Sequence, residues 1–248
     1  MKKLLARADD LGYSEGVNYG IAKSVLEGII GSVGVMTNMP TVEHGLSLLK
    51  GTKVCLGQHT NICIGKPLTD PSRIKSLINE NGEFKSSKEY REAKEDFVVL
   101  DEVILEIEAQ YKKFIELTGH KPRYFEGHAV ASKNFFRGLE IVSGKYGLKY
   151  SPFSLEGSIK INNKQVKVSM DSMKPDYEPF EALKKGLADT DNYDYIMFIC
   201  HPGYLDGYIL KNSSLTIPRP LEVDMLCDLH TRAWLKQSSV ELITYDDL

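Results

Sequence analysis

The 248-residue sequence has few of the features that mark secreted, membrane-spanning or nucleic-acid-binding proteins. Its four cysteines include no C-x-x-C pair, and a chain of this size does not need disulfide staples, so reduced thiols and a cytoplasmic location are expected. No apolar stretch approaches the roughly 18 residues of a membrane span. With 31 Lys and Arg against 34 Asp and Glu, the net charge is -3, and no basic tract favours nucleic acid as a partner.

The sequence also lacks a linker rich in Pro, Gly or Ser, a low-complexity tract and an internal repeat, so a single domain over residues 1–248 is expected. What recurs instead is an apolar run followed by a helical pattern, which is typical of an α/β fold with a parallel sheet. About seven such units fit a closed or nearly closed (β/α) barrel better than a short doubly wound sheet.

Apolar runs predict the strands, and apolar residues at helical spacing predict the helices. The predicted strands cover residues 4–8, 32–36, 54–58, 124–126, 148–150, 195–200 and 240–244. The predicted helices begin after the cap Ser14 and at residues 42, 100, 134, 178 and 220, and the last of them covers residues 220–235. Alternating apolar residues around Asn162-Asn163 predict a small hairpin inserted into this pattern. The polar segment 62–97 is too long for an inert connection and is interpreted as a substrate-covering lid.

Polar residues capable of chemistry follow several of the predicted strands. Asp9 and Asp10 come directly after the first strand, and three histidines follow later strands in turns that contain glycine or proline, namely His59, His128 and His201. A barrel collects the carboxyl ends of its strands at one rim, so these side chains are expected to meet there. Each residue alone is more often structural, the Asp-Asp pair as a turn or helix cap. Three histidines in equivalent positions favour a functional site.

A carboxylate and two imidazoles form a small set of ligands for a divalent ion, with positions left open for water and substrate. The second carboxylate could then take a proton from water, and a further histidine could protonate the leaving group. The candidate substrate-binding residues are Arg219, Asn61 and Asn38. Arg219 and Glu222 are also consistent with a simple surface pair, since they lie three residues apart near a predicted helix start.

Six segments follow one another over nearly the whole chain: ADDLGYSEGVNYGI (8–21), LGQHTNI (56–62), YFEGH (124–128), HPGYLD (201–206), TIPRPLE (216–222) and ELITYDDL (241–248). In this order and spacing they resemble the YdjC-like carbohydrate deacetylases, a family that includes chitooligosaccharide deacetylases. One segment alone is a weak signal, whereas all six in order are a specific one.

The resemblance implies a metal-dependent hydrolase on a distorted TIM-like barrel, which removes acetyl groups from an N-acetylated sugar or oligosaccharide. It implies that Asp10, His59 and His128 bind the metal. It further implies that Asp9 is the general base and that His201 is the general acid or a transition-state stabiliser. The implied cofactor is one divalent ion, magnesium first, although imidazole ligands also suit zinc, manganese or cobalt. A homodimer is implied as well.

The sequence departs from the family pattern in three places. Arg7 stands where the family usually has Asn, and Glu126 stands where it usually has Asp. Residues 129–131 are Ala-Val-Ala where the family carries further histidines, although His128 itself is retained. The missing imidazoles would line the pocket, so this change bears on substrate preference and rate.

Three other interpretations are open from the sequence. A metal-dependent phosphoesterase could use the same ligands, but it would favour two metals and a cationic clamp, and only Arg7 and Arg219 lie near the motifs. A non-catalytic or regulatory carbohydrate-binding homologue is compatible with the change at residues 129–131. A glycosidase would need a separated carboxylate pair and no metal.

Overall fold

The computed structural model describes residues 1–152, 157–188, 193 and 195–248. Its backbone forms two compact units, the first comprising residues 1–34, 40–56 and 154–248 and the second residues 35–39 and 57–153. The single domain expected over residues 1–248 stays a prediction. Among the described helices, none combines the length and the apolar composition needed to cross a bilayer.

Strands and helices alternate along the described chain. The strands are β1 Lys2–Leu11, β2 Ser32–Val35, β3 Cys55–Thr60, β4 Tyr124–Gly127, β5 Lys149–Tyr150, β6 Ser158–Ile161, β7 Lys164–Ser169, β8 Tyr195–Cys200 and β9 Val240–Ile243. The helices are α1 Glu15–Leu26, α2 Val42–Leu48, α3 Ser87–Glu92, α4 Leu100–Thr118, α5 Lys133–Tyr146, α6 Pro179–Ala188, α7 Gly207–Asn212, α8 Pro218–Cys227 and α9 Leu229–Gln237. Single 3₁₀ turns cover Pro71–Arg73, Lys75–Leu77 and Tyr245–Asp247.

Strand β1 is the central strand of the first unit. It is buried from Leu4 to Leu11 and pairs in parallel with both β8 and β9, so that Leu4 lies opposite Ile196 and Leu242. A strand that is covered on both faces needs no alternation of apolar and polar residues, which explains the continuous apolar start of β1. On the far side of β8, β7 continues the parallel pairing.

The predicted hairpin is confirmed in the first unit. Strands β6 and β7 are antiparallel, with Ile159 opposite Val166 and Ile161 opposite Lys164. Asn162 opens the two-residue turn with φ at 53°, in the left-handed region that asparagine tolerates better than most residues. The cap predicted at Ser14 is also confirmed, because the Ser14 hydroxyl accepts a hydrogen bond from the Val17 N–H at the start of α1.

In the second unit, β3, β4 and β5 form consecutive parallel pairs, and helices α4 and α5 pack against each other. The buried face of α4 follows the predicted helical spacing and includes Val103, Ile107, Tyr111 and Phe114. Gly119 ends α4 with φ at 77°, the left-handed conformation that glycine adopts without strain. The predicted start of this helix at residue 100 is confirmed.

Segment 62–97 belongs to the second unit and packs against the rest of that unit. Ile74, Leu77 and Phe84 are buried in its apolar core. Glu106 of α4, itself buried, accepts hydrogen bonds from the backbone N–H groups of Leu68 and Thr69 at 3.1 and 2.9 Å. The segment thus has a packed structure of its own, and its role as a lid stays a prediction.

The single helix predicted over residues 220–235 is wrong. Two helices, α8 and α9, meet at Asp228, whose backbone is extended and whose carboxylate accepts a hydrogen bond from the His230 N–H. Aspartate competes with helical backbone bonding in this way, so it starts a new helix where the apolar spacing alone indicates a continuation.

Sequence periodicity also misses two short helices and the ends of two strands. Strand β1 continues to Leu11, so Asp9 and Asp10 lie inside it rather than directly after it. Helices α3 and α7 have six residues each, too few for a periodic apolar pattern, and they are fixed by the caps Ser86 and Asp206. Strand β3 continues to Thr60, so His59 lies inside the strand rather than just after it.

The glycines of the GYSEGVNYG stretch bring α1 against the segment that follows β8. The Tyr204 N–H donates to the Gly16 carbonyl at 2.9 Å, and Gly20 lies directly against the backbone of Gly203. A side chain at Gly20 would overlap that backbone, which cannot rotate away as a flexible side chain would. These glycines therefore help to place His201, two residues before Gly203.

We expect Gly20→Ala to lower the free energy of unfolding by about 1–3 kcal/mol, since overpacking a rigid contact has this typical cost. Gly144→Ala is the matched control, because Gly144 lies on α5 with nothing near the position of its missing side chain. The control should be neutral or stabilising by up to about 1 kcal/mol, from helix propensity. Chemical denaturation measures both, and equal stability of the two variants would contradict the close contact.

Candidate functional site

Asp9 and Asp10 are the two candidate carboxylates of the first unit, and both are buried near the end of β1. Neighbouring residues of a regular strand point to opposite faces. Asp10, however, has φ at 80°, far from an extended backbone. Non-glycine residues in this region carry strain of order 1–3 kcal/mol and cluster at functional sites. The positive φ of Asp10 therefore interrupts the regular strand geometry within β1.

Asp9 forms a buried ion pair with Arg7. The Arg7 Nη2 group donates to Asp9 Oδ2 at 2.7 Å, and the Arg7 Nη1 group donates to the Tyr245 hydroxyl at 2.8 Å. The guanidinium charge stabilises the carboxylate form of Asp9. The residue that departs from the family pattern at position 7 is therefore a direct partner of the candidate base.

Asp10 forms a second buried ion pair, with Arg219 of α8. The Arg219 Nη2 group donates to Asp10 Oδ2 at 2.7 Å, and its Nε group donates to the Leu215 carbonyl at 2.9 Å. Arg219 and Glu222 are 2% and 0% exposed, so the surface pair considered from the sequence is wrong. Their three-residue spacing places both side chains on the buried face of α8 rather than toward solvent. The substrate-binding role considered for Arg219 stays a prediction.

His201 is half-buried directly after β8, and α8 holds its backbone. Glu222 Oε2 accepts a hydrogen bond from the His201 N–H at 2.5 Å, and Arg219 Nη1 donates to the His201 carbonyl at 3.2 Å. Glu222 Oε1 accepts from the Tyr177 hydroxyl at 2.8 Å. Burial raises the pKa of Glu222 to about 7, against the hydrogen bonds and the Arg219 charge that lower it.

Cys200 precedes His201 and could suggest a thiol nucleophile. It is fully buried at the end of β8, and burial raises the pKa of its thiol well above the ordinary value. A reactive cysteine needs a stabilised thiolate, and this environment does the opposite.

The second unit contains His59 on β3 and His128 directly after the neighbouring parallel strand β4. His59 lies opposite Glu126 in the register of β3 and β4, and the His59 Nδ1 atom lies 2.5 Å from Glu126 Oε1. A carboxylate can only accept a hydrogen bond, so this contact places the imidazole proton on Nδ1. The Nε2 atom then carries a lone pair and can act as the metal ligand. The His59 Nε2 and His128 Nδ1 atoms lie 2.9 Å apart.

This pair of imidazoles fits two neighbouring ligands of one divalent ion. Nitrogens bound at about 2.1 Å and at right angles around an ion lie roughly 3 Å apart, close to the observed separation. The carboxylate behind His59 supplies the outer hydrogen bond that metal-binding histidines usually make. Within the second unit, the donor set therefore fits a divalent cation, and a carboxylate oxygen of Asp10 is the further ligand atom expected from the sequence.

The amides of Asn61 and Asn38 bind protein groups in the second unit. The Asn61 Oδ1 atom accepts from the N–H groups of Cys63 and Ile64, and its Nδ2 group donates to the Ile64 carbonyl and to Asn38. Asn38 donates to the carbonyls of Ile64 and Lys66. These contacts order the turn after β3, and the substrate-binding roles of both residues stay predictions.

Sequence reasoning missed Tyr177, Tyr245 and Ser172 as neighbours of the candidate catalytic residues. Ser172 Oγ lies 3.4 Å from His201 Nδ1. Tyr245 belongs to the ELITYDDL segment that contributes to the family resemblance, so its motif was a usable signal. Tyr177 and Ser172 lie between β7 and α6 in no recognised motif, and nothing local in the sequence marks them.

The family model for the YdjC-like protein matches residues 3–237. The chain belongs to the YdjC-like family. This YdjC-like chain is 31% identical over 254 residues to carbohydrate deacetylase 2 of Listeria innocua, covering 99% of this chain and 98% of that protein. It is 27% identical over 248 residues to a chitooligosaccharide deacetylase of Citrobacter koseri, covering 96% and 94%.

Solved structures share the fold of this YdjC-like chain. A crystal structure of an Enterococcus faecalis protein with a proposed cellobiose-phosphate cleavage activity matches with a TM-score of 0.84 and 21% identity, covering 99% of this chain and 98% of that one. A family 4 acetyl xylan esterase from Clostridium thermocellum, in complex with a cobalt ion, matches with a TM-score of 0.52 and 10% identity, covering 99% and 89%. The predicted fold class, α/β with a mostly parallel, barrel-like sheet, is confirmed.

The buried carboxyl group of Glu222 predicts a pH dependence of stability. Its pKa in the folded chain, about 7, lies above the ordinary value of 4.5, so the fold binds a proton that the unfolded chain releases between these values. The stabilising contribution is complete below pH 4.5 and is lost as the pH rises through 7. Relative to Glu222→Gln, the wild-type free energy of unfolding should therefore fall between pH 5 and pH 8.

Denaturation at each pH measures this difference. Glu241→Gln is the control, because Glu241 is exposed on β9. A difference between wild type and Glu222→Gln that stays constant across the pH range would contradict the raised pKa of Glu222.

Proposed function

We propose that the chain is a metal-dependent carbohydrate deacetylase, which hydrolyses the N-acetyl group of a saccharide to acetate and an amino sugar. The single observation that carries this proposal is the His59 and His128 pair, with ring nitrogens 2.9 Å apart and a buried carboxylate behind it. The names of the relatives, carbohydrate deacetylase and chitooligosaccharide deacetylase, support the substrate class.

In this proposal Asp10, His59 and His128 hold one divalent ion. Magnesium is the first candidate, while the two imidazoles also suit zinc, manganese or cobalt. The cobalt ion in the acetyl xylan esterase of similar fold supports a divalent metal. When bound, such an ion supplies a Lewis acid that polarises an acetyl carbonyl and acidifies water.

The chain's own residues carry the proton transfers. Asp9 accepts the proton of the attacking water, and Arg7 keeps it ionised and fixes its Oδ2 atom. His201 then donates a proton to the departing amine of the sugar, so that acetate and a neutral amine leave. Arg219 and Glu222 hold the backbone of His201 for this step.

A phosphoesterase would need cationic side chains for a phosphate. Arg7 and Arg219, the two arginines near the motifs, donate to Asp9 and Asp10 in the first unit. The amide substrate is therefore the better match. The homodimer and the cytoplasmic location are further parts of the proposal and stay predictions.

Removal of the metal should abolish acetate release from N-acetylated mono- and oligosaccharides, and addition of a divalent ion should restore it. His59→Ala should lose ion binding, and Glu126→Ala should weaken it by about 10- to 100-fold, because the carboxylate orients the imidazole. His120→Ala is the control, since His120 is exposed and lies after α4. Calorimetry with the metal alone measures binding. Full activity in a chelator would refute the metal-dependent function.

Asp9→Asn should lower kcat by about 10²- to 10⁴-fold, because the amide cannot accept the proton of water, while metal affinity and KM stay close to wild type. Asp224→Asn, at an exposed position of α8, is the control. Steady-state acetate release measures both variants. Saccharide binding without any turnover, in wild type and variant alike, would favour the non-catalytic homologue instead.

A further inference from the structure

We propose that Glu222, Tyr177 and Ser172 are positioning residues that aim the His201 imidazole at the leaving group. This inference rests on the proposed function and goes beyond it, because it assigns a role to segment 170–178, between β7 and α6. Three contacts support it. Glu222 binds the backbone of His201, Ser172 lies next to its ring, and Tyr177 links Glu222 to segment 170–178.

The backbone contact comes from α8. His201 directly follows Cys200, the last residue of β8. Glu222 Oε2 binds the N–H group at 2.5 Å, and Arg219 binds the carbonyl at 3.2 Å. Glu222 and Arg219 lie on one turn of α8, so a single helix holds both the N–H group and the carbonyl group of His201. Burying a carboxylate is costly, and Glu222 is 0% exposed.

The ring contact comes from Ser172. Its hydroxyl lies 3.4 Å from His201 Nδ1, and the serine is 2% exposed. When the proton leaves from Nε2, Nδ1 keeps its own proton, which the Ser172 hydroxyl can accept as a hydrogen bond in both states of the ring. With Nδ1 directed at Ser172, the other ring nitrogen, Nε2, is the one that can deliver a proton to substrate.

Tyr177 connects the backbone contact to the segment. Its hydroxyl donates to Glu222 Oε1 at 2.8 Å, so each oxygen of Glu222 has its own donor. Burial, followed by the Glu222 charge, raises the pKa of Tyr177, which therefore remains a donor. Tyr177 and Ser172 lie five residues apart on the same segment, so one stretch of chain contacts both the ring and the anchor of His201.

The segment itself faces solvent around these two side chains. Met170 and Met173 are 51% and 63% exposed on either side of the buried Ser172. Asp176 has φ at 55°, a strained value for a residue other than glycine. The strain directly precedes Tyr177, where it turns the chain so that the phenol reaches Glu222. The inserted hairpin β6–β7 thus leads directly into a segment that serves the site.

A comparison of two substrates separates positioning from general damage. N-Acetylated chitooligosaccharide has a poor amine leaving group that needs a proton, whereas 4-nitrophenyl acetate has a leaving group that departs without one. We expect Ser172→Ala, Tyr177→Phe and Glu222→Gln each to lower kcat on the amide by roughly tenfold, with KM within twofold of wild type. On the ester all three should stay within twofold of wild type.

Double variants test whether the residues act through His201. Adding Tyr177→Phe or Glu222→Gln to His201→Asn should cause no further loss on the amide, since a residue that acts only through His201 has nothing left to position. Tyr150→Phe and Ser24→Ala are the controls, because each loses a hydrogen bond from a hydroxyl to a backbone carbonyl away from His201. Both controls should keep wild-type kcat on both substrates.

Equal losses on amide and ester, or losses that add to that of His201→Asn, would overturn the inference. If Glu222→Gln does not fold, Ser172→Ala and Tyr177→Phe still decide the question, since each removes one oxygen atom. A wild-type protein without any amide hydrolysis would overturn the proposed function and this inference with it. An active wild type with additive losses would overturn the inference alone.

Discussion

The pairing of two adjacent buried carboxylates with two buried arginines is the constraint on which the first unit depends. Asp9 and Asp10 are 2% and 1% exposed, and each accepts a hydrogen bond from a guanidinium group at 2.7 Å. Removing one partner of such a pair typically costs about 3–5 kcal/mol, because an uncompensated charge stays buried. In this chain Arg7 and Arg219 supply the compensating charges for the two carboxylates near the end of β1.

The same arginine connects this constraint to the rest of the proposed chemistry. Arg219 donates to Asp10 and to the carbonyl of His201, and Glu222, one turn further along α8, accepts from the His201 N–H. A shift of α8 would therefore move a proposed metal ligand and a proposed acid together. The TIPRPLE segment (216–222) thus contributes Arg219 and Glu222, which bind Asp10 and His201, the proposed metal ligand and the proposed acid of two other segments.

Much of the fold could be predicted from the sequence, because each type of element has its own pattern. Buried parallel strands contain short apolar runs, and capped helices contain apolar residues at helical spacing. The ion pairs could not be predicted in this way. Asp10 and Arg219 lie 209 residues apart, and the spacing of Arg219 and Glu222 is equally typical of an exposed helix face. The break at Asp228 was missed for a related reason, since a capping residue and a helix interior residue can occupy the same position of an apolar pattern.

The departures from the family pattern acquire different meanings in the structure. Arg7 replaces a neutral side chain with a cation that binds Asp9, so it changes the charge balance around the proposed base. Glu126 keeps a carboxylate on His59 Nδ1, and the imidazole pair of His59 and His128 is intact. In residues 129–131, both alanines are exposed and only Val130 joins the apolar core of the second unit. The departures at residues 129–131 therefore leave the imidazole pair unchanged, and they bear on the proposed substrate rather than on the proposed ion.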